Sequence, residues 1–295
     1  MNLSDNTLLI GKDTEAIGEE SPSGLSRRSF FKRAAITGAT SAVALGGLVT
    51  LASALDKEAN AATGSTKVNS KGLAAGDVDI LIAAQIAEAL AVTTYSNIIN
   101  TSPFFTRIPQ DDQGYLQGAL QEEMSHYLLE QSVTGHPTPY TSFFYPFNMF
   151  SDAQTTLNTL VSLEDAFIAA YLVGVRNFST GQLRLTAARI MGIESDHRTL
   201  ARVIGPDVAP QDGGPITMIT GFQGVPESVA PPNNNGYERT LCLSRIEEAV
   251  TALLPFVSLA AAQQAGFDTS KTFPFVPFTP TLPNPLGDFI SFTGC

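Results

Sequence analysis

The chain has 295 residues, of which 43 % are hydrophobic, with 28 acids against 17 bases and a formal net charge of −11. That length suits one or two domains with a sizeable core. The acidic balance excludes polyanions as expected partners, both nucleic acid and anionic membranes. Two cysteines, Cys242 and Cys295, lack Cys-x-x-Cys spacing, which argues against a thiolate metal site or a dithiol redox motif. In an oxidising compartment the simplest expectation is a disulfide between them; two free thiols are the other.

The first 61 residues read as an export signal rather than as fold. Ser26-Arg27-Arg28-Ser29-Phe30-Phe31-Lys32 is a twin-arginine motif, and an uncharged run rich in Ala, Gly, Leu and Val follows over 34–55. Ala59-Asn60-Ala61 supplies a small-x-small cleavage site, with Ala52-Ser53-Ala54 as a second candidate. The run is long enough for a membrane anchor, but its Gly, Ala, Thr and Ser make it weakly hydrophobic, as twin-arginine signals tend to be. The expected partner is the twin-arginine translocation machinery, and the expected location is periplasmic or extracellular. No later stretch reads as long and apolar enough to span, so no stable membrane span is expected after cleavage.

Residues 62–74 form a polar linker. The predicted helix one, 77–100, has the inner stripe Leu81, Ala84, Glu88, Val92, Tyr95 and Ile99 at steps of three and four. A short connection broken by Pro103 and Pro109 leads to helix two, 110–134, with stripe Leu116, Ala119, Leu120, Glu123, His126 and Tyr127; Gly135 and Pro137 end it. The aromatics Tyr140, Phe143, Phe144, Tyr145, Phe147 and Phe150 mark the link over 136–150 as a crossover lying on apolar surface.

Ser151 or Asp152 is placed to cap helix three, 152–178, whose stripe is Leu157, Leu160, Val161, Glu164, Ile168, Tyr171 and Val175. Thr180-Gly181 turns the chain into helix four, 181–204, with stripe Leu183, Ala187, Ile190, Glu194, His197 and Ala201. Residues 206–236 read as irregular. A fifth helix is expected over 237–265, bent at Pro255. The tail from Asp268, with Pro274, Pro277, Pro280, Pro283 and Pro285 among phenylalanines, should pack on the bundle. No strand pattern is evident, and the class is all-α.

Two of the three histidines have Glu three residues upstream, Glu123 with His126 and Glu194 with His197. Residues three apart share a helix face, where a carboxylate and an imidazole can meet one metal ion. Glu88 and Glu164 each interrupt an apolar stripe, and each has a tyrosine seven residues on, Tyr95 and Tyr171. The chain thus repeats itself over 77–134 and 152–204. Counting from the interhelical turns puts all four Glu at about 18–20 Å along antiparallel hairpins, one level of a four-helix core. Four ionised carboxylates there require compensation, which two divalent cations would supply. The mixed carboxylate and imidazole set suits iron or manganese better than calcium or structural zinc.

The order Glu, Glu-x-x-His, Glu, Glu-x-x-His on four helices, with a long crossover between helices two and three, resembles the ferritin-like di-metal carboxylate superfamily over about 77–204. With the twin-arginine signal, fifth helix and Pro-rich tail, the chain looks most like exported ferritin-like proteins of the desiccation-related type. The resemblance implies a signal over 1–61, a linker over 62–74, a bundle over 75–205, and a segment 206–295 packed on it. It implies Glu88, Glu123, His126, Glu164, Glu194 and His197 as ligands of two Fe or Mn ions, with the Glu of each Glu-x-x-His bridging.

Tyr95 and Tyr171 are expected either beside the metals in a redox role or as plain core aromatics. Glu122 and Asp196 are expected to face solvent, His136 to lie on the surface, and Asp165 to sit on the solvent side or behind the ligands. The expected activity is an oxidoreductase acting on peroxide or dioxygen in oxidative or desiccation stress. A metal-stapled structural or binding protein is the alternative. Iron storage ranks third, because 206–236 and the tail would clutter shell-building surfaces. A homo-oligomer is compatible with all three.

Overall fold

In the computed structural model the described residues are 73–205, 218–220, 226–228 and 243–281. Four long helices carry the fold: α1 Ala75–Thr101, α2 Gln110–Thr134, α3 Ala153–Asn177 and α4 Gly181–Ile204. α1 packs with α2 and α3 with α4 as hairpins, and α1–α3 and α2–α4 contacts close the bundle. The signal 1–61, most of the linker, Cys242 and Cys295, most of 206–236 and the end of the tail lie outside the described residues.

Local chemistry fixes the helix ends. Asp152, not Ser151, caps α3, its Oδ2 accepting the Thr155 N–H at 2.8 Å. The Thr180 hydroxyl accepts the Leu183 N–H at 3.2 Å at the start of α4. Gly135 closes α2 in the left-handed region, at φ 74°. α1 has no side-chain cap of its own. Its buried Asp77 instead accepts the Ser179 N–H at 2.8 Å and the Ser179 hydroxyl, tying the start of α1 to the α3–α4 turn.

α1 is buried nearly all round, because a further helix, α5 (Ile246–Val257), packs on α1 and α3. That explains its run of Ala and β-branched residues, which two-sided polarity would not permit. α3 is long and apolar enough to cross a membrane by length and composition, contrary to expectation, but most of it is buried inside the fold. Its hydropathy is that of a core helix.

The all-α architecture holds, with short strands added to it. β1 (Ser142–Pro146) pairs antiparallel with β4 (Phe267–Pro274), setting Phe143 opposite Phe273 and Tyr145 opposite Asp268 across an irregularity. β2 (Met218–Thr220) and β3 (Pro226–Ser228) form a second antiparallel pair. The crossover therefore packs as expected, but through a strand. Tyr145 anchors it, with ring centroids 4.9 Å from Phe150 and 5.2 Å from Phe273, and its hydroxyl 3.0 Å from the Thr94 hydroxyl.

The fifth helix is not one bent rod from 237. It starts at Ile246 and divides into α5 and α6 (Leu259–Gln264). Pro255 cannot donate to the carbonyl one turn back, and the chain breaks at Ser258, where the backbone is extended and the hydroxyl caps α6 through the Ala261 N–H.

Candidate metal centre

Each helix delivers its acid to one level. Glu88 comes from α1, Glu123 and His126 from α2, Glu164 from α3, and Glu194 and His197 from α4. Five of the six side chains are no more than 3 % exposed; His126 alone reaches 12 %. The six fall into two groups that could each hold a metal ion: Glu88, Glu123, His126 and Glu194; and Glu123, Glu164, Glu194 and His197. Glu123 and Glu194 belong to both, whereas Glu88 and Glu164 belong to one each.

His126 Nδ1 lies 3.5 Å from Glu88 Oε2, 3.6 Å from Glu123 Oε2 and 3.2 Å from Glu194 Oε1. His197 Nδ1 lies 2.9 Å from Glu123 Oε1 and 3.5 Å from Glu194 Oε2. Each shared carboxylate thus turns one oxygen to each imidazole. Glu88 Oε2, Glu164 Oε2, both oxygens of Glu123 and of Glu194, and both Nδ1 atoms are buried and, apart from these close approaches to one another, have no hydrogen-bond partner. Buried polar atoms are nearly always paired. Eight unpaired ones converging from four helices form a donor set suited to cations.

The electrostatics agree. Burial, reinforced by Glu194 and Glu123, holds Glu88 well above the usual carboxylate range. Burial, then Glu123 and Glu194, does the same to Glu164. Burial would raise Glu123 too, but His197 and His126 outweigh it and keep Glu123 ionised. Burial would lower both histidines; the carboxylates around them raise both instead, led by Glu88 for His126 and Glu123 for His197. Without metal, the cluster therefore holds together by retaining protons.

The tyrosines are joined to the acids crosswise. Tyr95 on α1 donates to Glu164 Oε1 on α3 at 2.7 Å. Tyr171 on α3 contacts Glu88 Oε1 on α1. Each hydroxyl meets the Oε1 of a carboxylate whose Oε2 is one of the buried unpaired atoms, so both tyrosines do more than fill the core.

Glu122 does not face away from the centre. Its Oε2 lies 2.9 Å from His197 Nε2, while its side chain stays 43 % exposed. A carboxylate behind a ligand imidazole fixes its tautomer and orientation. The helical turn that points Glu123 inward leaves its predecessor on the α2–α4 seam, within reach of the far side of the His197 ring. Asp196 is exposed as expected, and His136 is half-buried. Asp165 is buried and paired with Arg198 at 2.8 Å, beside His197 in sequence.

Sequence reasoning missed Glu130. It is 2 % exposed, and its Oε1 lies 2.8 Å from the Tyr171 hydroxyl. Its signal was available: seven residues beyond Glu123 and four beyond His126, it shares their face.

Residues 76–204 match the family model described as a ferritin-like domain. No curated protein and no solved structure matches the chain. Over 76–204 this chain is thus similar to a ferritin-like domain, with carboxylate and histidine clusters compatible with metal binding.

Proposed function

We propose that this is an exported protein of the desiccation-related type that holds two divalent ions, Fe or Mn, and under oxidative stress disproportionates peroxide or, with electrons from an external reductant, reduces peroxide or dioxygen. The observation that carries the reading is the set of eight unpaired buried donor atoms on Glu88, Glu123, His126, Glu164, Glu194 and His197. A bound metal pair of this type supplies two-electron exchange with an O–O bond. The chain does the rest. Tyr95 and Tyr171 hold the terminal carboxylates, Glu122 orients His197, and the apolar stripes of four helices keep bulk water out. His126, as the most exposed of the six, marks the side from which a small oxidant would approach.

Elemental analysis and an optical spectrum of the purified protein test the metal part. Two Fe or Mn per chain is the expected result; less than one in protein purified and reconstituted with both metals would refute it. The deep burial of Glu123, Glu164 and Glu194 favours a second reading, in which the same pair is a structural staple without turnover.

Glu122→Ala should lower metal affinity about 10–100-fold, the usual effect of losing a carboxylate behind a ligand imidazole. Because Glu122 is half-exposed, the metal-free melting temperature should hardly move. Competition with a chelator of known affinity reads the first quantity and calorimetry the second; unchanged affinity would show that the Glu122–His197 contact positions nothing.

Export has its own test. Twin-arginine transport carries folded proteins, which fits a centre loaded before translocation. Arg27→Lys combined with Arg28→Lys should leave full-length precursor inside the cell. Undiminished mature protein outside would rule out the twin-arginine route.

A further inference from the structure

The internal repeat carries its own packing control. Pairing Glu88 with Glu164 and Glu123 with Glu194 makes Leu160 and Leu163 the counterparts of Ala84 and Ala87, and Leu116 the counterpart of Ala187. All six are buried. Three leucines thus fill the bundle on one side of the metal centre where three alanines stand on the other. On the alanine side lies a cavity of about 240 Å³, walled by Phe167 and Ile190, whose own counterparts are Ala91 and Ala119. It begins one helical turn from the centre, since Ala84 precedes Glu88, and Ile190 precedes Glu194, by four residues.

The depth of this cavity is apolar. Ala84, Ala87, Phe167 and Ile190 present hydrocarbon alone, and the Tyr171 hydroxyl is taken up by Glu88 and Glu130. The unpaired Glu130 Oε2 is sealed from the space. A water needs two to four polar partners, so water is a poor occupant there. Protein interiors are close-packed, and an unfilled apolar void destabilises the fold in proportion to its volume. At the mouth the chemistry changes. Gln182 is exposed and Thr186 half-buried on α4, and both side chains are polar and uncharged. An apolar interior that ends in neutral polar groups matches a hydrocarbon chain with a neutral polar head.

We propose that this cavity binds a single unbranched alkyl chain with an uncharged polar head, the chain among the three alanines and the head at Gln182 and Thr186. An apolar protein cavity of about 150 Å³ takes benzene, so this one holds about nine or ten heavy atoms, the size of 1-octanol. Two-chain membrane lipids are far too large for it. The inference does not rest on the metal centre, and binding is read without turnover.

The test is calorimetric titration of the purified full chain with 1-butanol, 1-hexanol, 1-octanol, 1-decanol and octanoate. Affinity should rise about fourfold per carbon up to 1-octanol, the usual worth of a buried methylene. 1-Decanol, too long for the space, should bind no tighter than 1-octanol. Octanoate, whose charge meets no cation among the lining residues, should bind more weakly than 1-octanol. Ala84→Leu and Ala187→Leu copy Leu160 and Leu116 and fill the space. Each should weaken 1-octanol at least about tenfold while its melting temperature holds or rises. Circular dichroism and metal content verify that each variant folds, and the chain-length series needs no variant at all. Four results would each overturn the proposal: affinity still rising at 1-decanol, octanoate binding tighter than 1-octanol, no binding of 1-octanol at millimolar concentration, or 1-octanol affinity unchanged in both variants.

Discussion

Stripping metal from the purified protein is expected to lower its melting temperature by roughly 10–15 °C near pH 8, and by much less near pH 5. The first figure follows from linkage: metal present at about 1,000 times its dissociation constant stabilises the fold by about 4 kcal/mol. For a chain of this size each kcal/mol is worth about 2–4 °C. The pH dependence follows from the directions of the shifts. Glu88, Glu164 and Glu130 are held well above the ordinary carboxylate value of 4.5 in the metal-free fold. The unfolded chain releases those protons at lower pH, so above about pH 4.5 it binds fewer protons than the fold, and stability falls as pH rises.

His126 and His197, raised above 6.5, act with the same sign: their contribution is complete below 6.5 and lost as pH climbs through the folded value. Glu123, lowered, works the other way, but only as pH falls below 4.5. Each differing proton contributes about 1.4 kcal/mol per pH unit. Metal-loaded protein has given up these protons to the ions and should gain stability with pH until the unfolded histidines are neutral. The two melting curves should diverge upward from about pH 5. Chelated and loaded samples that melt together from pH 5 to pH 8 would mean that the six residues hold no metal.

The parts of this molecule that were legible in the sequence are those governed by local periodicity. Glu88, Glu123, Glu164 and Glu194 sit in apolar stripes whose spacing puts them on inward faces, and helix length puts them at one height. Gly135, Thr180 and Asp152 punctuate the helices by their own backbone and side-chain chemistry. What stayed hidden depends on pairs distant along the chain. β1 exists because 142–146 meets 267–274, and neither segment alternates cleanly enough to announce a strand. Glu122 looked solvated because one helix says nothing about what stands across the seam, and there His197 supplies a partner. Pro255 was correctly read as a disturbance, but the break falls at Ser258, where a hydroxyl can restart the helix.

The crosswise tyrosines show the same limit and lead to the largest predicted effect. The repeat put Tyr95 after Glu88 and Tyr171 after Glu164, yet each hydroxyl meets the other hairpin's acid. Removing a hydroxyl should therefore loosen a terminal carboxylate without removing a ligand. Tyr95→Phe and Tyr171→Phe should keep most of their metal and change rate alone. His126→Ala and His197→Ala should abolish turnover, because each leaves one of the two groups with carboxylates only. The loss expected is at least about a thousandfold, since a reaction needing both ions gains little from one.

Peroxide loss and oxygen evolution, measured with iron- and manganese-loaded protein and normalised to bound metal, separate these classes. Equal losses in the tyrosine and histidine variants would mean that the hydroxyls serve metal retention. Fully loaded wild type that turns over neither peroxide nor dioxygen with a reductant would eliminate the enzyme. The same six residues would then act as a staple between two hairpins, and their value would appear only in the melting curves.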